Sequence, residues 1–174
     1  RRPSGVGRVI TVLAGGVGAA RFLEGLVRVV PPEEITVIVN VGDDTDLYGV
    51  RVCPDSDIVT YTLAGMVNQE RGFGLLADTY SVIEGLKRFG VDAWFGLGDH
   101  DFATCLHRTE RLRADEPLNR VTADIAATEG RGQVLIAIPN DTNLSLRAES
   151  RNADLFLTLQ RGPASGLVRV GSLH

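Results

Sequence analysis

An apolar run that ends in glycines decides the fold: Arg8-Val9-Ile10-Thr11-Val12-Leu13-Ala14-Gly15-Gly16-Val17-Gly18. Its β-branched residues predict a fully buried strand over 8–14. Apolar side chains then recur at helical spacing from Ala19 to Val30, and Pro31-Pro32 ends that helix. A second buried strand is predicted from Ile35 to Val41. These elements form a β-α-β unit, and its crossover helix makes the two strands parallel.

The rest of the chain continues the mixture of helices and strands. Helical spacing predicts helices at 56–66, 78–89, 101–112 and 118–127, with Asp55 or Ser56 as the N-cap of the first. Strands are predicted at 134–138, 144–148 and 155–159, with a turn at Asn140-Asp141. We expect a loose leader over residues 1–8 and a single α/β domain over residues 9–174.

Composition excludes several classes of protein. The 174 residues suit one domain, and 44% hydrophobic with 23% charged residues indicate a globular chain. The net charge of −4, without a basic block, argues against a nucleic-acid partner. Two cysteines give neither a disulfide framework nor metal-ligand spacing, so a reduced, cytoplasmic setting is expected. No apolar run reaches the ~20 residues of a membrane span, so no membrane partner is expected.

The glycine turn is the first candidate site. Glycines between a strand and a helix let the backbone approach a phosphate, and the helix N-terminus supplies partial positive charge. The sequence matches neither the Walker motif nor the dinucleotide fingerprint. We predict that Gly15, Gly16 and Gly18 bind phosphate and that Arg21 adds a charge-assisted contact. The alternatives are a turn needed only for packing and a solvated Arg21.

Clustered acids form the second candidate site. Asp43 and Asp44 close the second strand, and Asp55 and Asp57 begin the following helix. Capping accounts for one such carboxylate but not for four. Hard oxygen ligands beside a phosphate-binding loop suit Mg²⁺, so these four acids are predicted to bind metal or ligand.

The third candidate site is the run Gly98-Asp99-His100-Asp101. The helix behind it carries Cys105, His107, Arg108 and Arg111. Asp99 is the better functional candidate, since a lone histidine such as His107 is as often structural. The preceding pair Trp94-Phe95 either walls a pocket for a flat ligand or packs in the core.

Taken in order, the motifs resemble the 2-phospho-L-lactate transferase family, most closely its actinobacterial branch, which uses a phosphoenolpyruvyl donor. The resemblance extends from Val9 to Ile125 and is weak after about residue 130. It rests on these segments: Thr11 to Leu23, Val39 to Asp44, Cys53 to Asp57, Tyr61 to Gly65, Arg71 to Gly74, Trp94-Phe95, Leu97 to Asp99, Ala103-Thr104 and Arg108-Thr109.

The resemblance implies a three-layer, doubly wound, mainly parallel sheet with helices on both faces, in the Rossmann-like manner. It also implies a transferase of coenzyme F-420 biosynthesis. Such an enzyme moves a phospholactyl or phosphoenolpyruvyl group from a guanosine diphosphate conjugate to a deazaflavin alcohol, releases GMP, requires Mg²⁺ and forms a homodimer.

The resemblance also implies roles for the candidate residues. Gly15, Gly16, Gly18 and Arg21 would bind the donor diphosphate, and Asp43, Asp44, Asp55 and Asp57 would hold Mg²⁺. Asp57, Asp99 and His100 would lie on the acceptor side. We infer an electrostatic mechanism in which Asp57, with Asp44, orients or deprotonates the attacking hydroxyl.

Some features depart from the family. Cys105 stands where the family usually has histidine after Ala-Thr, so no role for that histidine transfers. The chain is also well short of the family's usual length, which leaves a fragment, a split subunit and an active chain all open. Two other functions remain: a nucleotide-sugar-binding regulator of the gluconeogenesis-factor type, and a domain that binds another phosphate ester.

Overall fold

A computed structural model describes residues 10–129 in full and the backbone of strands at 135–137, 144–151, 154–161 and 164–172. The expected leader at 1–8 and the turn Asn140-Asp141 lie outside the described residues. Over the described part the protein is a mixed α/β structure with parallel strands and helices.

The predicted β-α-β unit is confirmed. Strand β1 (Ile10–Ala14) leads into helix α1 (Gly16–Leu26), and a 3-10 helix (Pro32–Glu34) precedes strand β2 (Ile35–Val39). The two strands are parallel, and Ala14 lies opposite Val39. The Asn40 N–H extends the ladder by donating to the Ala14 carbonyl at 2.8 Å. Both strands therefore end at the same edge of the sheet.

The prediction that the first strand is fully buried is wrong. Ile10 and Leu13 remain 38% and 40% exposed, whereas β2 buries every second residue. The reason is the strand order, in which β2 lies between β1 and a third parallel strand, β5 (Leu135–Ala137). Among the described residues β1 is an edge strand, and a β-branched run does not distinguish an edge strand from a central one.

A β-hairpin, which the sequence analysis did not predict, follows β2. Strand β3 (Thr45–Leu47) pairs antiparallel with strand β4 (Val50–Val52). Tyr48 and Gly49 join them with φ values of 53° and 82°, as a type I′ turn requires. The signal was weak, because each strand has three residues and tyrosine is an unusual first turn residue.

Four helices complete the fully described part, each near its predicted position: α2 (Pro54–Leu63), α3 (Ser81–Arg88), α4 (Asp99–Arg113) and α5 (Leu118–Thr128). The expected cap of the first of these is wrong, since Cys53 is its N-cap and Pro54 its first helical residue. Asp55 and Asp57 therefore lie inside the first turn of α2, where carboxylates favour the helix dipole.

The core has two parts. One lies between α1, α2 and the parallel sheet and includes Leu23, Val37 and Val59, each 0% exposed. The other packs the hairpin against α3 and α4 through Val52, Ile83 and smaller neighbours. The start of α2 follows directly on the hairpin and connects the two parts, so it is positioned to carry a site between them.

The predicted strands at 144–148 and 155–159 exist but do not extend the parallel sheet. Strands β6 (Leu144–Arg151), β7 (Asp154–Arg161) and β8 (Ala164–Ser172) form a separate antiparallel sheet. Only two residues separate β6 from β7. Such a connection permits a hairpin, because a parallel pair needs a long crossover.

Candidate active site at the carboxyl edge of the sheet

A cavity of about 530 Å³ lies where β1 and β2 end. The glycine turn, the first turns of α2, a loop at 73–75 and the start of α4 contribute its walls. Ligands of open α/β sheets bind at this edge, so the cavity is the candidate active site. Some residues of each predicted site line it, namely Gly16, Asp55 with Asp57, and Gly98 with Asp101.

Asp55 lies directly against the glycine turn. Its Oδ2 accepts a hydrogen bond from Asn40 Nδ2 at 2.9 Å, and the Gly16 N–H donates to the same carboxylate. Gly16 has a φ of +67°, and a Cβ there would lie 3.5 Å from Asp55 Oδ1. The turn therefore requires glycine at Gly16 for its conformation, and the acid cluster meets the turn through Asp55.

Asp43 and Asp55 lie close enough for their charges to interact, as two ligands of one metal ion would. Burial raises the pKa of Asp55, and the Asn40 hydrogen bond opposes the rise while the charge of Asp43 adds to it. A divalent cation would offset both unfavourable terms, and Mg²⁺ commonly takes one or two carboxylates beside phosphate oxygens. The donor set at the turn thus fits Mg²⁺.

Asp57 faces a different group, because residues two apart in a helix point in different directions. Its carboxylate is buried and forms an ion pair with both terminal nitrogens of Arg108, whose side chain is 0% exposed. Burial raises the pKa of Asp57, and the charge of Arg108 opposes that rise. The structure therefore places Asp43 and Asp55 at the glycine turn and Asp57 with Arg108.

Asp44 belongs to neither arrangement. Within the described residues its two carboxyl oxygens are buried and accept no hydrogen bond of ordinary geometry, and the Cys53 thiol is only a weak donor to them. Burial, the largest cause, raises the pKa of Asp44 to about 6. Asp44 is therefore a buried carboxyl group without a strong hydrogen-bond donor, and either a proton or a nearby cation would stabilise it.

Asp101 belongs to the third candidate run, but the sequence analysis assigned it no role of its own. It lines the cavity and accepts a hydrogen bond from the Tyr61 hydroxyl at 2.9 Å. Burial raises its pKa to about 7, and the charge of Asp57 adds to the rise. The available signal was its position four residues before Cys105, which places both on one face of α4.

Asp99 and Asp78 cap each other's helices. Asp99 accepts hydrogen bonds at the start of α3 from the Val82 N–H at 2.9 Å and the Ser81 N–H at 3.1 Å. Asp78 accepts at the start of α4 from the His100 N–H at 2.9 Å and the Asp101 N–H at 3.3 Å. The hydrogen bonds lower the pKa of Asp99, with the Thr79 hydroxyl as the largest cause. This exchange fixes one wall of the cavity, and the acceptor-side role of Asp99 stays a prediction.

We expect Asp78→Ala to cost about 1 kcal/mol of unfolding free energy, the usual value of an N-terminal cap. The melting temperature should fall by roughly 2–4 °C for a chain of this size. Differential scanning calorimetry measures the change. Asp92→Ala is the control, because Asp92 is exposed in the same part of the chain. An equal loss in both variants would argue against the capping role.

The remaining predicted residues lie at the rim. The His100 ring is 73% exposed, with Nδ1 3.2 Å from Asp78. The Arg21 guanidinium lies against Gly72, where a Cβ would meet it at 2.7 Å. Gly18 contacts no neighbour within 4 Å that would exclude a side chain. The structure therefore gives a conformational reason for glycine at Gly16, its positive φ, but no steric reason for glycine at Gly18.

The aromatic pair separates into two roles. Phe95 lines the cavity, and the Tyr48 hydroxyl of the hairpin turn holds its backbone N–H at 2.7 Å and its carbonyl at 3.1 Å. Trp94 stacks edge-to-face on Phe95 and is 73% exposed. The pocket-wall interpretation is supported for Phe95, and neither residue is a fully buried core aromatic.

These features define an α/β protein whose candidate site lies at the carboxyl edge of a parallel sheet. At that edge a glycine turn meets the acidic start of a helix. The profile of the 2-phospho-L-lactate transferase CofD family matches residues 10–155. The chain belongs to this family. Within the described helices, none combines the length and apolar character that crossing a membrane requires.

Relatives in several organisms carry the name phosphoenolpyruvate transferase. The chain is 50% identical to that of Streptomyces griseus over 133 residues, which are 76% of this chain and 42% of the relative. It is 47% identical to that of Nocardia farcinica, covering 76% and 40%, and 43% identical to that of Mycobacterium ulcerans, covering 76% and 44%. The chain thus spans about two-fifths of the relatives' length.

Proposed function

We propose that this chain carries the donor and metal site of a transferase of coenzyme F-420 biosynthesis. The reaction moves a phospholactyl or phosphoenolpyruvyl group from a guanosine diphosphate conjugate to a deazaflavin alcohol and releases GMP. The observation that carries the proposal is the contact of Asp55 with the glycine turn, at the edge of a sheet in a chain of this family. The proposal includes a three-layer, doubly wound fold and a homodimer.

In this proposal the glycine turn receives the diphosphate of the donor. The backbone of Gly15, Gly16 and Gly18 would face its oxygens, and Arg21 would add a charge from the rim. Mg²⁺, held by Asp43 and Asp55, supplies charge stabilisation at the diphosphate when bound. Asp55 would then exchange its present hydrogen bond from Gly16 for the metal, which frees that N–H for a phosphate oxygen.

The acceptor hydroxyl needs an acid that can orient it and take its proton. The sequence assigned this task to Asp57 with Asp44, yet Arg108 engages both oxygens of Asp57. Asp101 supports the proposal better, because it lines the cavity and its pKa of about 7 suits proton transfer near neutral pH. Phe95 would bound the cavity on the side where a flat acceptor ring could lie.

The reaction test uses the chain with a deazaflavin alcohol, Mg²⁺ and either donor, with products identified by mass. A thermal-shift comparison tests the site separately. Stabilisation by GDP with Mg²⁺ supports the proposal, whereas stabilisation by a UDP-sugar alone would favour the regulator. GDP binding without turnover would place the missing part of the activity in sequence that this chain does not contain.

We expect Asp55→Asn to weaken GDP binding in the presence of Mg²⁺ by at least about tenfold, because a lost metal ligand typically costs more than ~1.4 kcal/mol. Binding without Mg²⁺ should change little. Isothermal titration calorimetry measures both. Asp46→Asn is the matched control, since Asp46 is an exposed acid of the neighbouring hairpin. Equal affinity of Asp55→Asn and the control would contradict the metal assignment.

A further inference from the structure

A buried arginine, Arg108, pairs with Asp57 beside the cavity, apart from the acids at the glycine turn. Arg108 Nη1 lies 3.1 Å from Asp57 Oδ2, and Nη2 donates to Asp57 Oδ1. Nη1 also reaches the Arg51 carbonyl oxygen at 3.2 Å and Cys105 Sγ at 3.7 Å. The guanidinium therefore joins α4 to α2 and to β4 at one point.

The atoms around this guanidinium are those of a metal site. One ligand atom each from Asp57, Asp101 and Cys105 lies within 4.8 Å of the others. Two oxygens and one sulfur at such spacing suit a divalent transition metal. A metal there would compete with a fixed cation, since a guanidinium keeps its proton in proteins. It would also need a lone pair of Asp57 that now accepts from Arg108.

We propose that the fixed positive charge of Arg108 prevents a divalent metal from binding at Asp57, Asp101 and Cys105. The metal then binds at Asp43 and Asp55 instead. Arg108 is thus a positioning residue that acts through Asp57. The second half of this inference rests on the proposed function, because it presupposes a metal at the glycine turn. The first half stands on the described contacts alone.

Co²⁺ tests the first half, because Co²⁺ bound to a thiolate absorbs in the near ultraviolet. Wild type and Cys105→Ser should give the same spectrum, without that band. Arg108→Met, which keeps side-chain length but removes charge, should gain the band, and Arg108→Met/Cys105→Ser should lose it again. A band in wild type that Cys105→Ser removes would overturn the proposal. So would a folded Arg108→Met without a band.

Mn²⁺ binding, followed by electron paramagnetic resonance with and without GDP, tests the second half with Arg108 unchanged. Asp55→Asn should weaken binding by at least about tenfold, and Asp57→Asn should leave it nearly unchanged. Equal weakening would show that the metal uses Asp57 and would overturn the proposal, even if Arg108→Met does not fold. If wild type binds no Mn²⁺, the metal of the proposed function is wrong. The Co²⁺ spectra of wild type and Cys105→Ser then still show whether metal binds at Asp57, Asp101 and Cys105.

Discussion

Arg108→Met is expected to lower the free energy of unfolding by about 3–5 kcal/mol, because it leaves the buried carboxylate of Asp57 without its partner. The loss also removes the hydrogen bond to the Arg51 carbonyl, which ties the hairpin to α4. Domains of this size are stable by only about 5–15 kcal/mol, so the variant keeps little margin. Urea denaturation followed by circular dichroism measures the change.

The matched control for this prediction is the double variant Asp57→Asn/Arg108→Met. Removing the charge of Asp57 as well should restore a large part of the loss, since the penalty arises from an unpaired charge and not from the missing contact. Arg113→Met serves as a second control, because Arg113 is exposed and its ion pair within the described residues is with the exposed Glu110. If the double variant were as unstable as Arg108→Met, packing and not charge would be the cause.

Asp101→Asn is expected to stabilise the protein at pH 8 by about 2 kcal/mol and to stabilise it much less at pH 4.5. Burial raises the pKa of Asp101 from 3.8 to about 7 in the folded chain. Between these values the folded state binds more protons than the unfolded state, so wild type loses stability as pH rises through this window. The shift in the pKa of Asp101 corresponds to at most about 4 kcal/mol of stability. The expected stabilisation is smaller because solvent screens part of this interaction. Asparagine retains an oxygen for the Tyr61 hydroxyl.

Urea denaturation at a series of pH values between 4.5 and 8 tests this prediction. The slope of stability against pH should be shallower in Asp101→Asn than in wild type, although Asp44, with a pKa of about 6, keeps part of it. Asp92→Asn, an exposed control, should follow wild type at every pH. A variant that loses stability at pH 8 would show that Asp101 is ionised and useful in the folded state.

Local patterns predicted most of the elements. The β-α-β unit followed from one apolar run, the glycines after it and the prolines that end α1. Each later helix was found near its true bounds from apolar spacing. The hairpin at 45–52 was missed because strands of three residues carry almost no periodicity. The sequence also could not show that β1 is an edge strand, since strand order depends on which segment pairs on its other side.

The candidate site was predicted in outline but not in its partnerships. The glycine turn and the acids were expected at the same edge of the sheet, because parallel strands end at one edge. The sequence named Arg108 only as a helix residue, although it pairs with Asp57 across 51 positions. The acceptor-side role of Asp99 stays a prediction, and the sequence did not show that its carboxylate caps α3, 17 positions away. Contacts between distant segments leave no spacing pattern in the sequence.

By itself the sequence determined the class of fold, the family and the meeting of glycine turn and acids, because each depends on residues that are neighbours in the chain or on adjacent strands. Only the tertiary structure decided how the acids are divided: Asp55 at the turn, Asp57 with Arg108, and Asp101 with Tyr61 in the cavity wall. The physical reason is that a carboxylate's charge state and availability are set by its burial and its partners, and those come from helices that are far apart in sequence.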